Sequence, residues 1–394
     1  MYVEKAVLRQ PCLTVGRAVL VMKIPYHVYN AFTHGAIGKG NPAGVVNFEF
    51  LLEYLPNNTE DPFWSDEATA LCQEIATKLN LSETAFVRDE KSRPVTSQRE
   101  DNPHGYRYDI RYFTPTQEIE VCGHATLSAA DYVAWKRRLT ESDTLTISYE
   151  KGTLPIKFWR ENNGHRRMYE MRANASEAEM LEDVAKEAEV IAKIRNAFGE
   201  NSCPGSQRTE TGASLFSLER NPMGDTFFRI HVTTYEELLL FHSFYMTPEK
   251  GPDMEKLAKI AADIGGRGIC VFLTTVSILP GPECAECADS SSRRFDFDCY
   301  IRWFGPNVGI PEDPVTGSAC CGIAPFLPPK TEHAYTVYQC STRGGLMYTL
   351  VCAPDKVSIG GAVGWEKSGT LERSSAGGAF IDGECHETDA HRHR

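Results

Sequence analysis

No uncharged apolar stretch in this 394-residue chain runs further than about Gly268 to Pro282, which is too short to span a bilayer as a helix. No membrane partner is expected. Basic charge is scarce as well: 41 Lys and Arg stand against 53 acidic residues, a net charge of −12. No basic run is interleaved with aromatics, so nucleic acid is not an expected partner. The sequence holds no dinucleotide fingerprint, P-loop or H-E-x-x-H motif, and no cofactor is predicted. Its one CxxC, Cys284 and Cys287, lies in the Pro/Gly/Ser-rich segment Pro280 to Ser292. With no second pair at zinc spacing, that segment reads as a flexible loop with two free thiols, and no metal is expected. The apolar patch Leu13 to Ile24 is broken by Arg17 and Lys23 and lacks a cleavage site, so it reads as a leader into the first strand. Thirteen cysteines, an odd number, are scattered through a chain long enough to bury cores without staples. Reduced thiols and a cytoplasmic location are expected, and a disulfide knot is excluded.

The length favours two domains, and the periodicity is mixed. Tyr26 to Phe32 and Gly44 to Phe48 read as strands around the turn Gly38-Lys39-Gly40-Asn41-Pro42, and Asp66 to Asn80 reads as a helix. Thr84 to Val87 and Tyr106 to Phe113 read as strands, Gly123 to Leu139 as a helix, and Thr144 to Trp159 as a hairpin. From Arg160 to Asp225 the composition turns charged and low in aromatics, which predicts an insertion at about 160–225 with a helix from about Ser176 to Phe198. Strands return at Thr226 to Thr234, Gly268 to Val276, Phe295 to Phe304, Thr336 to Cys340, Met347 to Cys352 and Val357 to Val363. The class is α/β in the α+β sense. The expected division is 24–140 for the first half, completed by strands near 355–373, 141–354 for the second, and a disordered tail over 374–394.

One pattern occurs twice. Ile110-Arg111-Tyr112-Phe113-Thr114-Pro115 and Ile301-Arg302-Trp303-Phe304-Gly305-Pro306 share I-R-aromatic-F-x-P. Each is followed by acidic residues and a glycine-opened helix: Glu118 to Gly123 with His124 in the first copy, Glu312 and Asp313 to Gly317 with Ser318 in the second. The recurrence predicts two halves of related topology. If the halves face one another, their helix starts would point free N–H groups at one place, where a carboxylate binds and developing negative charge is stabilised.

Four ordered motifs carry a resemblance over nearly the whole chain outside the leader, the insertion and the tail. They are Ala31-Phe32-Thr33 with Gly40-Asn41-Pro42-Ala43, Leu81-Ser82-Glu83-Thr84-Ala85-Phe86-Val87, Cys122-Gly123-His124-Ala125-Thr126, and Glu312-Asp313-Pro314-Val315-Thr316-Gly317-Ser318. Together they resemble the PhzF-like family, named for the phenazine-biosynthesis isomerase and related in fold to diaminopimelate epimerase. The resemblance implies two similar domains, each a mixed sheet wrapped around a central helix, with the active site in the cleft between them. It implies a biosynthetic isomerase of secondary metabolism that works by acid-base catalysis without a cofactor. Glu83 would shuttle the proton, His124 and Asp313 would be its catalytic companions, and Asn41, Ser82, Gly123, Gly317 and Ser318 would bind a small-molecule carboxylate substrate.

Residue by residue, plainer readings stand beside these. Glu83 alone is a surface carboxylate, His124 a helix-start residue, Asp313 an N-cap and Asn41 a turn former. Burial against Phe86 and Phe32 is expected to raise the Glu83 pKa toward the working pH. The reaction expected is a proton, and hence double-bond, shift, with cyclisation able to follow. An epimerase or racemase using Cys122 and a non-catalytic small-molecule binding protein are the alternatives, and a homodimer is left open.

Overall fold

The computed structural model describes residues 21–56, 61–90, 105–161, 166–174, 179–180, 184–199, 215–221, 224–275, 296–327, 334–353, 355–374 and 378–386. Cys284, Cys287 and the leader up to residue 20 lie outside them. In the first half the elements are β1 (Val21–Thr33), β2 (Asn41–Asn47), α1 (Asp66–Leu79), β3 (Glu83–Asp89), β4 (Gly105–Phe113), β5 (Glu118–Ile119), α2 (Gly123–Arg137), β6 (Thr144–Tyr149), β7 (Gly152–Glu161) and β8 (Arg166–Asn174). Next come β9 (Glu179–Met180), α3 (Val184–Ala197), β10 (Phe216–Arg220), β11 (Asp225–Ile230), α4 (Tyr235–Tyr245), α5 (Met254–Asp263), β12 (Gly268–Thr274) and β13 (Cys299–Phe304). The chain finishes with α6 (Gly317–Ile323), β14 (Tyr335–Gln339), β15 (Gly345–Ala353), β16 (Lys356–Ser374) and β17 (Ile381–His386).

Strand pairing repeats. From β1 through β2, β3, β4, β6 and β7 to β8, neighbours are antiparallel, parallel, antiparallel, parallel, antiparallel and antiparallel. From β10 through β11, β12, β13, β14 and β15 to β16 the order of directions is the same. The first run closes, because β8 and β1 both pair with β16. Inside that ring sits α2, buried at every position from His124 to Ala134. A helix apolar on one side only could not fill such a place. The small residues Ala125, Ser128, Ala129 and Ala130 let strands approach on all sides. In the second run β10 pairs instead with β9, and the helix in the corresponding place, α6, has only seven residues.

Strand β16 is the seam. Its first residues pair with β15 on one edge and β8 on the other, while Val363 to Ser374 run against β1. Gly345 and Gly361 make room for Phe32 there: a Cβ would lie 2.8 Å from the Phe32 carbonyl oxygen at the first and 2.6 Å from its ring at the second. Phe32 itself has φ of 65°, at a break in the β1–β16 register.

Two expectations are corrected. Strand β8 lies within the segment taken for an insertion, yet it pairs with β7 and β16 and is part of the closed wall. Its many charges hide the buried residues Met168, Tyr169 and Met171. The tail expected to be disordered contains β17, which pairs with β16, and Phe380 beside it is buried. No described helix is long and apolar enough to cross a membrane.

Candidate active site

Four elements converge at the start of α2. Asn41 opens β2 and Glu83 opens β3, and because these strands are parallel with Ala43 opposite Glu83, both side chains come from the same end of the sheet. His124 is the second residue of α2, and Asp313 precedes α6. All are nearly out of water: Glu83 and Asp313 are 9% exposed, His124 6% and Asn41 0%. Phe113 on the neighbouring strand and Phe86 pack edge to face beneath this end of β3.

The Glu83 Oε2 lies 3.0 Å from Nε2 of His124. That is an ion pair, and the oxygen is buried. The Ser82 Oγ is also 3.2 Å from Nε2 and donates to the Pro42 carbonyl at 3.0 Å. On the other side of the ring, Nδ1 is 3.3 Å from the Cys122 Sγ. The amide of Asn41 donates to Asp313 Oδ1 at 3.0 Å and to the Val315 carbonyl at 2.8 Å. Asn41 is therefore a buried tie between the first half and the loop before α6, where the sequence predicts a turn former or cleft-rim residue. Thr316 donates to the other Asp313 oxygen, and Gln339 closes the loop by donating to the Asp313 carbonyl and accepting from the Thr316 N–H.

Electrostatics separates the two carboxyls. Burial alone would raise Glu83, but the charge of His124, with help from Ser82 and Arg267, outweighs it and holds the carboxyl below its ordinary value. The upward shift expected from desolvation is thus reversed: the sequence shows the apolar neighbours but not the cation. At Asp313 burial wins, with the Glu83 charge adding to it, and the pKa is pushed from 3.8 up to about 6. Burial alone would lower His124; its contacts with Cys122 and Glu83 hold it well above its ordinary value. Burial and the Glu83 charge push the Cys122 thiol up, against the pull of His124. The resting arrangement is an ionised Glu83 against a protonated His124, with a neutral thiol behind. Donor atoms of Glu83, Cys122 and His124 fall within 4.8 Å of one another; they already hold one another as ion pair and thiol contact.

Neither α2 nor α6 has an oxygen-bearing side chain capping its N-terminus; at α2 the Ala125 N–H is met by the Cys122 sulfur. At Gly317 the arrangement is weaker, since the macrodipole of a seven-residue helix is small. Ser318 does not join the Glu83 cluster; its hydroxyl accepts from Arg267 at 3.3 Å. Sequence reasoning missed Thr316, Gln339 and Arg267. Thr316 lies within a motif, whereas Gln339 on β14 and Arg267 before β12 reach the site only through strand pairing.

A mixed α/β sheet with a repeated pairing order and a buried carboxylate–imidazole pair at the start of its central helix defines the class: a sheet-rich protein with an ion pair enclosed where two helix starts meet. Residues 29–215 and 282–365 match the model of a family described as phenazine biosynthesis-like protein. Phenazine biosynthesis-like domain-containing protein 2 of Mus musculus is 30% identical over 345 residues, spanning 87% of this chain and 97% of that one. An uncharacterized isomerase of Halalkalibacterium halodurans is 27% identical over 329 residues, spanning 83% and 91%. Among solved structures, a PhzF-family phenazine biosynthesis protein of Enterococcus faecalis is 25% identical with a TM-score of 0.56, over 89% of this chain and 99% of that one. The chain belongs to the phenazine biosynthesis-like family, as its four motifs suggested.

Proposed function

We propose that this protein is a cofactor-independent isomerase that moves a proton between carbons of a small carboxylate-bearing metabolite, in a cleft between its two halves. Glu83 is the shuttle. The observation that carries this reading is the Glu83 carboxylate held 3.0 Å from the His124 Nε2 in a site nearly closed to water. One carboxylate can take a proton from one carbon and return it to another. As the proton leaves, charge builds on the substrate's conjugated carbonyl or carboxyl. The N–H groups at the start of α2 would hold that group, and one well-aimed oxyanion donor is worth on the order of 3 kcal/mol. His124, protonated, keeps the carboxylate ionised between turnovers and offers a cation beside the developing charge. Asp313 acts as a positioning group, fastening Asn41 and the loop before α6. Cyclisation of a product can follow the shift. Cys72, Cys122, Cys270, Cys299, Cys320, Cys321, Cys340 and Cys352 are free, in keeping with a reducing, cytosolic setting.

The thiol chemistry of an epimerase is less well supported. Cys122 contacts the same imidazole as Glu83 and its pKa is raised, so it is neither an ionised base nor an acid on an opposite face. The test is proton NMR of unsaturated and α-substituted small carboxylates in deuterated water. The isomerase washes deuterium into a new C–H position and shifts the double bond. Inversion at one carbon without a shift replaces this reading by the epimerase, and saturable binding with no exchange replaces it by a binding protein.

A further inference from the structure

The turn between α5 and β12 holds a cation in an unusually complete setting. Arg267 grips Asp225 with two parallel bonds, Nε to Oδ1 at 3.1 Å and Nη2 to Oδ2 at 2.8 Å. Asp225 is 0% exposed and also accepts from the Trp303 indole at 3.3 Å. The guanidinium lies 5.5 Å from the centre of the Trp303 ring, and Gly268 makes that approach possible, since a Cβ there would come within 2.3 Å of the indole. The Arg267 N–H is fixed to the Gly224 carbonyl at 2.6 Å. Its Nη2 reaches the Ser318 hydroxyl in the first turn of α6. Trp303 also leads to the site, for its carbonyl accepts from the Asp313 N–H at 3.1 Å.

A purely structural arginine would have its donors used up and its head covered. Here the side chain is 38% exposed, and the bonds above use only Nε and Nη2, which leaves the two N–H donors of Nη1 without a hydrogen-bond partner among the described residues. The strong anchoring fixes the fork in one orientation, which is what recognition of a carboxylate requires. Through Ser318 in the first turn of α6, and through the Trp303 carbonyl that holds the Asp313 N–H, the fork is tied to the same loop and helix start that carry Asp313.

We propose that Arg267 is a substrate-specificity residue: its Nη1 binds an anionic group at the end of the substrate away from the carbon that Glu83 deprotonates, so that the substrate carries an anion at each end. This rests on the proposed proton-transfer site and adds to it a requirement for a dianion of dicarboxylate type. Asp225 sets the orientation and tempers the charge, and Ser318 holds the outer edge of the fork.

Benzoate and isophthalate differ by one carboxylate and serve as probes in calorimetric titrations of the full chain. Wild type should bind isophthalate about tenfold or more tightly than benzoate, the scale of one charge-assisted hydrogen bond. Arg267→Gln should abolish that preference and leave benzoate affinity unchanged. Because this variant strands the buried Asp225, the double variant Arg267→Gln with Asp225→Asn is measured beside it. Arg267→Lys, which keeps the charge without the fork, should retain part of the preference and carries the test if the others fail to fold. Equal binding of the two probes by wild type, or an unchanged preference in the folded variants, overturns the assignment and leaves the proton-transfer reading standing. Binding of neither probe also overturns the assignment, while deuterium exchange decides the proton-transfer reading separately.

Discussion

Arg111 in β4 grips Glu118 at 2.7 and 2.6 Å and donates its third nitrogen to the Phe63 carbonyl. Arg302 in β13 grips Glu312 at 2.7 and 3.0 Å, and its third nitrogen meets the carbonyls of Tyr245, Thr247 and Lys250. The doubled I-R-aromatic-F pattern is thus a mechanical part used twice: an arginine on a strand pins the acidic loop that leads into the helix. Beyond the pinned loops the two halves diverge. The first loop delivers Cys122 and His124 to a long helix sealed in a closed sheet. The second delivers Asp313 and Thr316 to a short helix, and its sheet turns to β9 where the first closes on itself. The shared frame brings two helix starts together, and the unshared residues give one the cation and the other the elevated carboxyl.

The comparison can be broken at the pins. Arg302 is 0% exposed against a Glu312 that is 17% exposed, whereas Glu118 beside Arg111 is 34% exposed. Removing one partner of a buried pair costs about 3–5 kcal/mol, so Arg302→Ala should lose that much stability in urea unfolding and Arg111→Ala less. Equal losses would mean that the two frames bear equal load.

The chemistry should break on one side only. Glu83→Gln keeps shape and hydrogen-bonding capacity but removes the carboxylate proposed as the base, and turnover should fall by roughly 10² or more while substrate still binds.

The two carboxyls also predict opposite pH responses. Asp313, raised in the folded state, contributes stability that is complete below pH 3.8 and lost as pH rises through about 6. Against Asp313→Asn, the wild type should therefore lose on the order of 3 kcal/mol between those limits. Glu83, lowered in the folded state, contributes stability above 4.5 that is lost as pH falls through its folded value. Against Glu83→Gln the wild type should weaken on the acid side. Denaturation curves of the three proteins across this range would show the crossing, and parallel curves would remove the assignment. The smallest effect belongs to Cys122→Ser, which should keep turnover within about tenfold, since losing a true acid or base costs more.

Much of this arrangement is legible in the sequence. Strands such as β3 and β4 announce themselves by β-branched and aromatic residues, and α1 by its apolar period; the four motifs alone group Glu83, His124, Asp313 and Asn41. Strand β8 is not legible because Arg166, Arg167, Glu170 and Arg172 mask its buried face, and its partner β16 lies far away in sequence. β17 likewise depends on pairing with β16. The charge state of Glu83 is unreadable for a similar reason: apolar neighbours are visible in the local sequence, while the imidazole that reverses the shift arrives from His124, well beyond the next strand. Arg267 and Gln339 carry no local pattern at all.

Deuterium uptake by wild type and Glu83→Gln, measured by NMR on one carboxylate that both proteins bind, tests the central claim most directly. Wild type should place solvent deuterium at the new C–H position, and Glu83→Gln should bind with similar affinity and exchange at least roughly 10² more slowly. Exchange by Glu83→Gln at near the wild-type rate would show that another group moves the proton.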